Sequence, residues 1–213
     1  MAPHGVVPLP VNLLASVVNT YLKSHYGVLA VASVVLRLPI LRQLGIWSGC
    51  VEAKYSRLHK AITREKKSVV VFPGGIAELF LSKPKTERIF LKQRKGFVKL
   101  ALETGAQLVP IYFFGSTDMF NQISSSKGFL AHISRKVRIT FNLFYGQYFL
   151  PIPYATKVTI AIGDPVLERP TKHANVTQEQ IDQVHEQCVQ KMEETFQKYK
   201  FIAGYGTRNL EIF

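Results

Sequence analysis

The chain has 213 residues, 47% of them hydrophobic, and 27 Lys and Arg stand against 14 Asp and Glu for a formal net charge of +13. That length and apolar content suffice for one sizeable core, and no shift in composition marks a linker, so one domain over residues 1–213 is expected. The charge turns the surface toward anions, whether nucleic acid, lipid headgroups or nucleotide-like phosphates, and the absence of an RNP-type aromatic strand or zinc-finger spacing sets nucleic acid aside. Cys50 and Cys188 are too few and too far apart for a disulfide framework or a metal cluster, and both read as small buried hydrophobes.

The chain opens with Met1-Ala2-Pro3-His4-Gly5, which has neither the basic n-region nor the apolar h-region of a secretory signal. Between residues 11 and 49 the longest uncharged interval, Ser24 to Leu36, is 13 residues, short of the ~20 needed to cross a bilayer. With Lys23, Arg37, Arg42 and Trp47 on its flanks, it reads either as a buried core helix or as a helix lying in the membrane interface. Residues 53–67 form a basic helix in which His59 is a solvated surface residue. Val69, Val70, Val71 and Phe72 then make a β-branched run closed by Pro73, Gly74 and Gly75, the pattern of a strand buried on both faces. Glu78 follows that turn by a few residues, at the sheet edge where open α/β folds place their sites.

From Phe90 to Thr104 the pattern predicts an amphipathic helix that ends at Gly105, and Gln107 to Phe114 resumes a buried strand. Strand, crossover helix and strand make a βαβ unit, which implies a sheet parallel at its centre. Residues 116–136 read as loop. Their apolar members Met119, Phe120, Phe129 and Leu130 either line a lipid entrance or tuck against the core. Val137–Phe144 and Lys157–Ile162 are strand candidates. Thr177 to Gln180 has the form of a capping box, and Ile181, Val184, Cys188, Met192 and Phe196 then share one helical face, with His185 read as structural.

Five segments of this chain, in order, resemble the signature blocks of the type-2 diacylglycerol acyltransferase family: APHGVVPLP, FPGGIAEL, RKGFVKLALETGAQLVPIYFFG, IAIGDPV at 160–166 and HEQCVQKMEETFQKYKFIAGY at 185–205. The resemblance implies a glycerolipid-acyltransferase-like α/β domain with a mostly parallel central sheet flanked by helices. It also implies transfer of a fatty acyl group from acyl-CoA, a co-substrate rather than a cofactor, to the free hydroxyl of diacylglycerol, giving triacylglycerol. The implied setting is the cytosolic face of the endoplasmic reticulum membrane or a lipid droplet, with the membrane surface itself a partner. The family's opening motif is most often His-Pro-His-Gly, preceded by a membrane hairpin and a first strand. Here that prelude is missing and Ala2 replaces the first His, while His4 and Gly5 match the second half. Monoacylglycerol or a wax alcohol as acceptor, or a truncated, non-catalytic lipid-binding protein, are the alternative readings.

Acyl transfer from a thioester to an alcohol needs a base for the hydroxyl proton, donors for the oxyanion and a cradle for the coenzyme phosphates. His4, with an ordinary pKa of ~6.5, suits the first task. Related glycerolipid acyltransferases place an Asp five residues after this His; here that residue is Leu9. Glu78 is then the candidate to orient the imidazole, its alternative role being to cap the helix after the turn, where a first-turn carboxylate is ordinary. Gly5, Phe72, Pro73, Gly74 and Gly75 are the candidate substrate-binding residues, the glycines as an anion hole or acceptor platform. Arg94 and Lys95 either meet the coenzyme phosphates or belong to a solvated helix face. No metal constellation and no Ser or Cys nucleophile motif is present, which favours direct transfer over an acyl-enzyme.

Overall fold

The computed structural model describes residues 2–3, 27–33, 35–37, 39–47, 49–75, 78, 85–123, 143–150, 152–167 and 171–213. Strands β1 (Gly27–Val31), β2 (Val51–Glu52) and β3 (Ser68–Val70) form a parallel sheet in the order β2-β1-β3. Helix α1 (Pro39–Trp47) and helix α2 (Tyr55–Thr63) make the connections. Parallel neighbours require such crossovers, and α2 buries Leu58 and Ala61 in a cluster with Val28, Ala30, Val51 and Leu100. The apolar interval expected to be helical is therefore in part strand: Gly27–Val31 is β1, and only a short 3-10 turn follows at Val35–Arg37. Its apolar composition suits a strand buried on both faces, and its pairing partners, such as Val51 for Ala30 and Val69 for Val28, lie far along the chain, out of reach of any local pattern.

Strand β4 (Glu87–Ile89) runs parallel to the C-terminal strand β9 (Leu210–Ile212), and α3 (Gly96–Thr104) follows it. The expected helix from Phe90 is thus shorter than its pattern. The N–H groups of Leu91 and Lys92 both donate to the Phe213 carbonyl, at 2.8 and 2.7 Å, and this distant tether holds residues 90–95 out of the helix. At the other end Gly105 takes φ 68° and donates to the Ala101 carbonyl, closing α3 where expected.

Strand β5 (Ile111–Phe114) pairs antiparallel with β8 (Thr159–Ile162), and β6 (Asn121–Ile123) pairs antiparallel with β7 (Leu143–Tyr145). Among the described residues the fold is mixed α/β with parallel and antiparallel ladders, rather than one mostly parallel central sheet. The β3-α3-β5 crossover exists, yet its two strands share no ladder. The Pro110 carbonyl accepts from Gly163 next to β8, so by backbone alternation the Ile111 carbonyl and Phe113 N–H face the other way. Ala2 takes both, at 3.0 and 2.8 Å, and lies parallel to β5 opposite Tyr112. The N-terminal residue thus occupies the backbone edge a neighbouring strand would use. β3 and β5 still meet through side chains, the Phe72 and Phe113 rings being 5.9 Å apart. The strand candidate at 137–144 lies outside the described residues up to 142, as do Phe129 and Leu130, whereas Phe120 is buried in the core.

Helix α4 (Gln178–Ala203) begins with the capping box read from the sequence: the Thr177 hydroxyl accepts from the Gln180 N–H, and the Gln180 side chain accepts from the Thr177 N–H at 3.0 Å. Its buried face carries Ile181, Val184, Cys188, Met192 and Phe196, as expected, and His185 is buried with Nε2 3.0 Å from the Leu91 carbonyl oxygen. Phe196 lies 5.0 Å from the Tyr112 ring and 5.4 Å from that of Phe114, and Tyr205 reaches Phe114 at 5.5 Å. These rings clamp β5 between α4 and the C-terminal segment. Phe196→Ala is expected to destabilise the fold by about 3–5 kcal/mol, read as a lowered denaturant midpoint at unchanged slope.

Candidate functional site

The glycine turn and Glu78 follow the carboxyl end of β3. After β3 the chain turns at Phe72–Gly75, with the Gly75 N–H donating to the Phe72 carbonyl at 3.2 Å and Gly75 at φ 53°. Gly74 is buried, and a Cβ there would overlap the Glu78 carboxylate and come within 2.8 Å of the Glu78 Cβ. The first glycine is therefore a seat for Glu78, and the second supplies the left-handed bend. Glu78 is 1% exposed and helical, and its Oε2 stands 3.5 Å from the Phe90 N–H.

Ala2 and Pro3 lie beside Tyr112 and are buried. The Tyr112 hydroxyl is pushed well above its ordinary pKa, chiefly by burial and also by the negative charges of Glu87 and Glu78. Tyr112 thus pairs with Ala2 and lies within electrostatic reach of Glu78. His4 and Gly5 lie outside the described residues. Phe72 and Pro73 are half-buried at the turn. Lys95 Nζ is bound to Asp182 of α4 at 2.7 Å, and the exposed Arg94 stacks its guanidinium 5.1 Å from the Phe90 ring.

A second set of groups was not singled out in the sequence. Glu87 on β4 is fully buried; its Oε2 accepts from the Tyr112 hydroxyl at 2.6 Å and its Oε1 from Arg208 at 2.8 Å. The other arm of Arg208 reaches Asp118 at 2.8 Å, just past the end of β5, while its plane lies 4.4 Å over the Tyr205 ring. The Tyr205 hydroxyl donates to Asp118 at 3.3 Å and is pushed up to about 12, first by burial and then by that carboxylate. Beside Asp118, the Thr117 hydroxyl is buried and finds no hydrogen-bond partner among the described residues. These contacts join residues up to 121 positions apart, and no spacing rule links them. Their one local signal is unpaired charge inside apolar surroundings, as in ERIFL and FFGSTDMF. No group of three or more His, Cys, Asp or Glu able to hold a metal occurs among the described residues.

The model of the diacylglycerol acyltransferase family matches residues 1–212. The chain belongs to that family. It is 31% identical to diacylglycerol O-acyltransferase 1 of Eremothecium gossypii over 99% of this chain and 48% of the relative. It is 31% identical to diacylglycerol O-acyltransferase 2-like protein 6 of Homo sapiens over 78% of this chain and 54% of that protein. With 2-acylglycerol O-acyltransferase 1 of Bos taurus the identity is 32%, over 83% of this chain and 56% of the relative. The chain spans about half the length of these curated relatives. No solved structure matches it.

Glu87, Tyr112, Arg208, Asp118 and Tyr205 thus form one buried ionic network. Removing one member of such a pair strands the others, so Arg208→Met is expected to cost about 3–5 kcal/mol at neutral pH. Burial raises the Glu87 pKa above 4.5 despite its Tyr112 and Arg208 contacts. A raised acid binds protons more tightly folded than unfolded, so this group favours folding below pH 4.5 and loses that contribution as pH rises through its folded pKa. The Arg208→Met penalty should accordingly shrink on acidification, measured by urea unfolding across pH 4 to 7.

Proposed function

We propose that this chain transfers a fatty acyl group directly from acyl-CoA to the free hydroxyl of diacylglycerol, forming triacylglycerol without a further cofactor. Its likeness to 2-acylglycerol O-acyltransferase 1 of Bos taurus and of Mus musculus also supports monoacylglycerol as acceptor. The observation that carries the reading is the buried Glu78 carboxylate, seated on Gly74 at the carboxyl end of β3 and within electrostatic reach of Tyr112, against which the residues before His4 are laid. In this mechanism the His4 imidazole takes the hydroxyl proton while the oxygen attacks the thioester carbonyl carbon. The Gly74-Gly75 turn is the platform for the oxyanion, and Glu78 stabilises the imidazolium. Collapse breaks the carbon–sulfur bond, and the departing thiolate recovers the proton from His4. Microsomes expressing the chain should convert labelled acyl-CoA into triacylglycerol, and His4→Ala should lower the rate by about 10²–10⁴. Glu78→Gln should lower kcat with little change in KM. An unchanged rate in His4→Ala would refute the base, and lipid binding without any turnover would favour the non-catalytic reading.

A membrane surface, at the cytosolic face of the endoplasmic reticulum or on a lipid droplet, is the proposed setting. No helix among the described residues is long and apolar enough to cross a membrane. Support for a peripheral contact comes from the segment after β7, where Tyr148 and Phe149 are each 83% exposed, with Leu150 and Ile152 beside them. Both aromatics take left-handed backbone angles, φ 57° and 59°, a conformation costing about 1–3 kcal/mol each for such residues. Strain spent on presenting apolar side chains to solvent suits insertion into a lipid interface, and the net charge of +13 suits anionic headgroups. The double variant Tyr148→Ser, Phe149→Ser is expected to weaken cosedimentation with phosphatidylserine-containing vesicles at least tenfold, with the folded-state circular dichroism unchanged.

A further inference from the structure

A cavity of about 670 Å³ lies between β3 and α3, with Cys188 and Met192 of α4 and residues 105–111 completing its wall. Val69 and Val71 of the β3 run, Phe97 and Leu108 all line it and remain only half-buried, although each is the kind of side chain a core normally encloses. The buried Leu100 and Ala101 of α3 close the opposite wall. Charged side chains in the lining are confined to one mouth, Lys66 and Lys67, where Lys67 is paired with Glu65 at 3.0 Å. At the other end stand Pro73 and Leu91. Pro73 immediately precedes Gly74, and Leu91 follows Phe90, whose N–H faces Glu78 Oε2. The cavity therefore ends against the glycine turn.

Its shape fits one kind of ligand. Five residue steps separate Ser68 from Pro73, and at ~3.3 Å each they give a lining roughly 16 Å long. The volume falls within the ~300–1,000 Å³ of ligand-filled sites. A mostly apolar lining that runs from Lys66 along the β3 segment to Pro73, the residue before the glycine turn, matches a linear hydrocarbon bearing one polar, reactive end. We infer that this cavity holds the acyl chain of the thioester donor, with the thioester at the Pro73–Leu91 end and the methyl terminus toward Lys66–Ser68. The assignment rests on the acyl-transfer reading and adds to it a chain-length gauge: tails that fill the space gain at each methylene, and longer ones must emerge at the lysine mouth.

Binding to the purified full chain, measured by displacement of the fluorescent fatty acid cis-parinaric acid, tests it apart from turnover. Affinity should rise about fourfold per methylene from butyryl- to dodecanoyl-CoA and level off for longer chains, while coenzyme A alone displaces nothing. Val69→Phe, which narrows the middle of the space, should weaken palmitoyl-CoA binding at least tenfold and leave butyryl-CoA within twofold. Leu108→Phe, on a connecting segment that tolerates bulk more readily, should act in the same direction if Val69→Phe fails to fold. Equal binding of coenzyme A and palmitoyl-CoA, or equal weakening of all chain lengths by either variant, would overturn the cavity assignment. Chain-length-dependent binding with no acyl transfer sustains the cavity and sinks the proposed reaction; transfer with chain-length preference untouched by both variants does the reverse.

Discussion

Arg208 bridges Glu87 and Asp118, and through them the last residues of the chain are bolted to β4 and to the end of β5. Glu87 is fully buried, so its charge is tolerable only while the guanidinium and the Tyr112 hydroxyl face it. The same tyrosine carries Phe196 against its ring and Ala2 against its backbone. One ionic fork thereby fixes, in turn, the C-terminal strand, the central strand β5 and the N-terminal residues that lead to His4. A planar donor with five N–H groups can serve two carboxylates and a tyrosine face at once, which a lysine cannot.

The candidate site inherits its rigidity from this arrangement. Glu78 is closely enclosed, with Gly74 beneath it and the Phe90 N–H 3.5 Å from its Oε2. Phe90 in turn belongs to a segment kept extended by the Phe213 carbonyl, next to the β4-β9 ladder. The glycine turn is thus positioned from its far side by the C-terminus. The apolar cavity beside it interrupts the core where three clusters meet, along β3, under α3 and over α4. Leaving such a space unfilled forfeits packing, which is compatible with a ligand completing it.

Much of this was readable from residues in order. Val69–Phe72 followed by Pro-Gly-Gly announces a buried strand and a turn, Thr177–Gln180 announces a helix start, and Gly105 announces a helix end, because each is decided by backbone preferences within a few residues. Glu78 was legible as a candidate for the same reason, lying a fixed few positions beyond the turn. Other features could not be read. Gly27–Val31 looked helical because an apolar interval has no period of its own, and β4 was hidden because its partner lies at the other end of the chain.

The sequence by itself determined the family and the segment types around the glycine turn, since these follow from local patterning and from motif order. Only the tertiary structure decided that Ala2 lies along β5, that Glu87, Asp118 and Arg208 share one buried fork, and that the valines of the β3 run, while packed against the core, also line a cavity. Those outcomes depend on which distant backbone edges and side chains satisfy one another's hydrogen bonds and charges, and pairing across 121 residues leaves no periodic trace along the chain.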